Sequence, residues 1–487
     1  MPEHKQSPLL SLAPELMQVI TDELTVDAGK NLRLTCKHLG EFLNIRLFRD
    51  LTSSFSKDNF EIVLSKVRIL ATKDCHAACS GTRTLKINSL SPAYDPGYRD
   101  APAGWIEPED PPEATAAEEV LKGYLFKAIA PLKGVQSVVW KPSYKDGEWA
   151  QREVMNALKT LPELRALDLQ TAHLRFALPL HDLSGLQEVY ICDINEERTA
   201  EVFDNFAKLV ARSPRITFMD ITSCWRFSSD GSPILHRILK HYPKGSSRLR
   251  LRHLSLKFCI ALKFSKIYLE ELSLNIVVPS FLEYLASYSG LKKLRLISGC
   301  SDLQSDSMAR EFFSTSFINH IQSLESLRIS ALYEGSWCFG PWNEAIVSRC
   351  TKLKTFEMAI VSSHLFPSEE SGVERNVVEL LIDTVSNSML QLESLSISVA
   401  TFEYLRRATS ENPAMQWHFP CPVGDIISSA HKYKVLPTCH RLPMLTAIGH
   451  SRKRPLVPIG PDEDGPLRYL ETTTSSKDDT LDFDSIY

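Results

Sequence analysis

Residues 251–274, LRHLSLKFCIALKFSKIYLEELSL, state one short phrase twice: leucine, two residues, leucine, one residue, leucine. It reads Leu251/Leu254/Leu256 and then Leu269/Leu272/Leu274. The last two leucines of each phrase alternate with polar neighbours, the pattern of a strand with one buried face. A single LxxL is more often a fragment of amphipathic helix, so the reading depends on a series. Outward from this stretch the phrase recurs as Val135/Val138/Trp140, Leu164/Leu167/Leu169, Leu186/Val189/Ile191, Ile216/Met219/Ile221, Leu291/Leu294/Leu296, Leu324/Leu327/Ile329, Leu353/Phe356/Met358 and Leu392/Leu395/Ile397. Successive starts lie 29, 22, 30, 35, 18, 22, 33, 29 and 39 residues apart, an irregular repeat with room for loops or helices between strands.

Between phrases the apolar period changes from two to that of a helix. Thr199 to Ala211, Ile234 to Tyr242 and Val377 to Leu390 each carry apolar residues at helical spacing. Strand followed by helix, repeated, predicts an α/β chain whose units bury their apolar faces only by stacking, with parallel strands on the concave face and helices outside. Residues 60–412 are assigned to this array. Pro92, Pro96, Pro102, Pro108, Pro111 and Pro112 make 91–113 an exposed insert within it. Residues 413–455 are read as an irregular C-terminal cap, with Arg452-Lys453-Arg454 as a solvated hinge. Residues 456–487, with eight acidic and two basic side chains, are read as a disordered tail.

The 487 residues, 43% hydrophobic and 23% charged, suffice for a sizeable core. A net charge of −4 excludes the whole-chain excess that draws proteins to nucleic acid or acidic membranes. No apolar run approaches a membrane span, and MPEHKQSPLLSLAPELMQVI has no basic segment leading into an uninterrupted apolar one. Eleven cysteines, an odd number spread along the chain, fit reduced thiols, so a cytoplasmic or nuclear setting is expected.

Ahead of the array, residues 9–52 read as helices. Pro14 and Glu15 suit a first helical turn, and Leu16, Ile20 and Leu24 form a stripe on the helix that follows. Asp27 is the expected cap of a second helix carrying Leu32, Cys36, Leu39, Leu43 and Leu47, with Leu34 and Phe42 off that stripe. Leu12, Pro14-Glu15-Leu16, Ile20, Leu24, Leu32, Leu34, Cys36-Lys37, Leu39, Phe42 and Leu47-Phe48 together resemble an F-box, the helical module that docks substrate receptors onto the Skp adaptor of SCF-type ubiquitin ligases. With the phrase repeats behind it, the chain resembles the F-box/leucine-rich-repeat receptors, including divergent fungal ones. In that pattern Cys224 and Cys259 occupy the turn position after the strand. The resemblance implies an F-box followed by an irregular leucine-rich-repeat solenoid. It also implies a non-catalytic subunit that binds a Skp-type adaptor and cullin scaffold through Leu12, Pro14, Leu16, Ile20, Leu24, Leu32, Leu34, Cys36, Leu39 and Phe48, and a protein target through the repeats. A repeat scaffold without ligase partnership is the alternative.

No phosphate loop, nucleophile elbow or zinc-protease motif is present, so no catalytic residue, cofactor or metal is assigned. Cys75-His76 with Cys79 lacks a second ligand pair at zinc spacing. What the repeat predicts is a surface, formed by the strand residues that alternate with the buried ones. Tyr190, Asp220, Lys257, Lys293, Arg295 and Arg328 are the candidates for target binding. Gly231 to Leu269 holds nine Lys or Arg and no acid, so an acidic or phosphorylated target is expected. That stretch lacks the aromatic interleaving of a nucleic-acid binder. YEGSWCFGPW, residues 333–342, is either an exposed aromatic hot spot or a packed loop end, and packing is the expectation.

Overall fold

Pro14 stands at the start of α1 (Pro14–Asp22), where a missing N–H costs no bond, and Glu15 faces the positive end of the helix dipole. This computed structural model describes residues 12–72, 76–95, 109–194, 199–222, 251–257, 267–274, 277–296, 305–366, 375–401, 423–433, 441–449, 453–460 and 467–471. The chain divides into two units, Met1–Trp225 with Arg237–Arg250, and Arg226–His236 with Leu251–Tyr487. Among the described residues no helix is long and apolar enough to cross a membrane.

In the first unit, α2 (Val26–Arg33) and α3 (Lys37–Leu47) follow α1. The expected single second helix is thus two helices, because the Thr35 hydroxyl donates to Leu32 O (2.7 Å) and Cys36 turns extended before α3. The cap is Thr25, whose hydroxyl accepts from Ala28 N, while Asp27 lies inside the first turn and pairs with Lys30. Met17, Leu39 and Leu43 form the small core, with Leu12, Leu32, Cys36, Phe42 and Leu47 packed against it. Arg46 donates to Asp22 O and Leu24 O, closing the end of α1. α3 packs on α5 (His76–Gly81), where a Cβ on Gly81 would lie 2.9 Å from the Asn44 carbonyl oxygen.

The sheet begins at β1 (Asp50–Ser54), inside the range read as helical module, and continues through β2 (Thr84–Ser89), β3 (Ser137–Trp140), β4 (Ala166–Gln170), β5 (Glu188–Cys192) and β6 (Phe218–Thr222). Neighbours are parallel and in chain order. Register aligns Leu51, Leu85, Val138, Leu167, Val189 and Met219 in one row and Ile87, Trp140, Leu169, Ile191 and Ile221 two residues on. From Leu85 onward these side chains are buried, so each phrase contributes two rungs to one apolar face. Helices α4 (Phe60–Thr72), α6 (Pro112–Ile129) and α7 (Glu148–Leu158) pack on one another in sequence, and α8 (Thr199–Arg212) matches the helix predicted at Thr199. Asp146 is buried and accepts from Leu90 N, Ser91 N and Ser143 N and from the Ser143 hydroxyl, pinning the loop after β2 to the loop after β3.

In the second unit, β7 (His253–Lys257), β8 (Glu271–Leu274), β9 (Lys293–Leu296), β10 (Ser326–Ile329), β11 (Thr355–Ile360), β12 (Ser394–Val399) and β13 (Met444–Ile448) are parallel and again in chain order. Leu272, Leu294, Leu327, Phe356, Leu395 and Leu445 form a buried row. Asn376 caps the helix Val377–Ser388 and also donates to Leu365 O and Ser429 Oγ, tying that helix to Val423–Lys432.

Two C-terminal expectations are corrected. Residues 413–455 hold the helix Val423–Lys432 and β13, because Leu442/Leu445/Ala447 is a further copy of the phrase whose small third residue hid it. Lys453 and Arg454, read as a hinge, open β14 (Lys453–Ile459), which runs antiparallel to β13 and to β15 (Arg468–Glu471). Buried Leu456 and Tyr469, the latter donating to Pro443 O (3.0 Å), hold this hairpin within residues read as tail. Residues 472–487 lie outside the described ones, as do Cys224, Cys259 and the predicted helix at Ile234. The described residues thus form a mixed α/β architecture compatible with a solenoid-like repeat.

Candidate protein-binding surfaces

The ten residues assigned to adaptor binding separate into two groups. Leu39 is in the helical core, and Leu12, Leu32 and Cys36 pack against it. Leu24 and Phe48 are half-buried, Phe48 beneath the Arg33 guanidinium, and Pro14 serves the backbone of the first turn. Leu16, Ile20 and Leu34 face outward. With Val19 and Val26, which sequence reading passed over, they are between 41% and 82% exposed. Leu16, Val19 and Ile20 lie at i, i+3 and i+4, one face of α1. The face of α1 turned into the module is instead carried by Met17 and Thr21. These side chains leave an apolar stripe exposed on the outer face of the helix.

On the first unit's sheet, the residues that alternate with the buried rows form an open face. Register sets Asp168, Tyr190 and Asp220 side by side on β4, β5 and β6, and Glu188 beside Phe218 one row away. The Tyr190 and Phe218 rings stack with centroids 4.6 Å apart. Burial pushes the Asp168 carboxyl above its ordinary pKa; the Lys141 charge partly opposes this and Asp220 adds to it. Tyr190 is raised too, by burial first and then by Glu188, Asp220 and Asp168. Among the described residues, no Lys or Arg comes within ion-pairing distance of Asp168, Glu188 or Asp220. Of the candidate target-binding residues, Tyr190 and Asp220 are brought together here. Asp168 and Glu188 alternate with the buried residues as the phrase predicts, and Phe218 joins them through the register.

On the described face of the second unit, two of the basic candidates are paired with acids. Lys293 pairs with Glu271 (2.7 Å), which also meets His253 (3.0 Å), and Arg328 pairs with Glu357 (2.6 Å). Burial raises Glu271, yet Lys293 and His253 hold its carboxyl below the usual range. At the strand starts Glu270 lies between Arg252 (3.8 Å) and Lys292 (3.0 Å), and Glu325 meets Lys354 (2.9 Å). Charges of opposite sign sit at equivalent positions of successive strands, so parallel register converts them into pairs. Arg295 shares the row of Arg328 and Glu357. The Lys257 side chain and most of Gly231–Leu269 lie outside the described residues.

In residues 333–342 packing prevails: Trp337, Cys338 and Phe339 are buried, Trp337 donates to Ser305 Oγ (3.0 Å), and Phe339 N donates to Ala359 O (2.8 Å). Trp342 remains exposed, its ring edge against His364. His320 is also buried, its Nε2 3.0 Å from Leu285 O while Nδ1 accepts from Leu291 N (3.3 Å), which fixes a neutral ring. Its pKa is lowered by burial, with the Leu285 carbonyl acting the other way.

No protein-family model matches the chain, and no curated protein matches it. Among solved structures it is similar to one titled the crystal structure of Rad7 and Elc1 complex in yeast, at 12% identity and a TM-score of 0.41, over 82% of this chain and 92% of that one. At that TM-score the likeness carries no argument about this chain.

Proposed function

We propose that the chain is the substrate-recognition subunit of an SCF-type ubiquitin ligase. In this reading its N-terminal helices dock on a Skp-type adaptor and cullin scaffold, and the open strand faces hold a protein target. The supporting observation is the outward apolar face of Leu16, Val19 and Ile20, with Val26 and Leu34, on a helical module that runs directly into β1. A module that needed these residues for its own core would bury them; it buries Met17, Leu39 and Leu43 instead. The chain performs no bond chemistry in this role. It raises the effective concentration of a target lysine near a ubiquitin-charged enzyme held elsewhere on the ligase.

Burying each of two such side chains is worth roughly 1.5–3 kcal/mol, so replacing both by Asp should weaken adaptor binding by about two orders of magnitude or more. The test is binding of purified Skp-type adaptor to the wild type and to Leu16→Asp/Ile20→Asp. Both positions are exposed, so the variant keeps its circular dichroism spectrum and melting behaviour. An adaptor that fails to bind the wild type, or binds the double variant equally well, overturns the proposal.

A further inference from the structure

The nature of the target follows from the one strand face whose charges are not paired within the described structure. We propose that the open face of β4–β6 takes a basic segment of a partner protein, an extended peptide that sets a Lys or Arg side chain between Asp168 and Asp220 and over the Tyr190 ring. The word target rests on the receptor reading; the chemistry of the face does not.

Three observations converge. Asp168, Tyr190 and Asp220 occupy one register row on adjacent parallel strands. With strands spaced about 4.8 Å apart, the backbone positions of Asp168 and Asp220 stand about 10 Å apart across the tyrosine, room for one ammonium or guanidinium group between their side chains. The ring beneath is an aromatic surface extended by Phe218, which favours a cation above its face. Glu188 lies beside Phe218 in the next row, so a second cationic side chain two residues along an extended peptide meets a second carboxylate.

Asp168 and Asp220 also repel each other, and burial already disfavours the ionised form of Asp168. Lys141 relieves this only from beyond pairing distance. A bound cation supplies what the fold leaves out. The second unit differs in the corresponding rows, where Glu271 is paired with Lys293 and Glu357 with Arg328.

The test uses the full chain and fluorescence anisotropy with three labelled synthetic peptides: one alternating Arg and Lys with Gly and Ser, one with Glu at every basic position, and one with phosphoserine at every serine of the Glu peptide. The basic peptide should bind at least 10-fold more tightly than the other two and weaken as salt rises. Asp168→Asn/Asp220→Asn should cost it 10-fold or more, Tyr190→Ala several-fold, and the exposed Glu325→Gln nothing. Equal binding of basic and acidic peptides overturns the inference, as does a basic-peptide affinity untouched by the Asn pair. Adaptor binding measured on the same samples separates the two proposals. Selective, Asp168-dependent peptide capture without adaptor binding rejects the receptor role alone, and adaptor binding without peptide selectivity rejects the basic-target inference alone.

Discussion

The strand faces of the two units are built from the same phrase and differ in what the intervening residues do. In the second unit Glu271 sits between His253 and Lys293, and Glu357 beside Arg328, so acid and base are spent on each other. In the first unit Asp168, Glu188 and Asp220 have aromatic neighbours and, among the described residues, no cation within pairing distance. Buried rows that are interchangeable thus carry open faces that are not. The apolar positions specify the stack, and the identity of each neighbour across the register specifies whether the face is satisfied internally or kept for a partner.

The largest expected effect tests the shared half of this comparison. Trp140→Ala in the first unit and Phe356→Ala in the second remove fully buried rings from the two buried rows of the phrase, and each should destabilise by about 3–5 kcal/mol in denaturant titration. A marked inequality would show that the two cores are not equivalent. Next comes a difference of sign. Glu357→Gln leaves the half-buried Arg328 without its anion and should cost about 1–2 kcal/mol. Asp168→Asn removes a carboxylate whose folded pKa lies above its unfolded one and should raise the denaturation midpoint at neutral pH. The same sign means that protonating wild-type Asp168, as pH falls through its raised pKa, relieves the first unit. Destabilisation by both substitutions would erase the distinction.

The smallest effect concerns pH in the second unit. His320 is held neutral with a lowered folded pKa, so the stability it confers is complete above about pH 6.5 and is lost as pH falls from there toward the folded pKa. His320→Gln keeps a donor for Leu285 O but leaves Leu291 N–H unpaired. It should cost about 1 kcal/mol at pH 8 and flatten the decline between pH 7 and 5 in melting experiments.

Much of the fold was legible because the LxxLxL spacing encodes strand alternation directly, and all ten phrases read from the sequence are strands. β13 escaped because Ala447 is a small third residue, and β14 because Pro455 and Pro458 punctuate it like a loop. On α1, periodicity marked Leu16 and Ile20 as an apolar stripe, but choosing Met17 over them for the core required the placement of α3. The charge pairs were least accessible. Glu271 and Lys293 have the helix Pro279–Ala286 between them in sequence, and only strand register makes them neighbours. Of the nine bases between Gly231 and Leu269, Arg252 meets its anion, Glu270, in the same way at the start of the following strand.

The clamp around Asp146 has a practical consequence. The chain leaves the described structure after Asp95, which pairs with Lys57, and returns before Asp110, which pairs with Lys145 (2.7 Å). Asp146 meanwhile fixes Leu90 and Ser91. Both ends of the interval are thus held by pairs with residues outside it. A reporter domain or protease site spliced between residues 95 and 109 should therefore leave the surrounding strands intact, with circular dichroism and melting behaviour unchanged. That gives a single place to tag or cut this protein without touching either proposed interface.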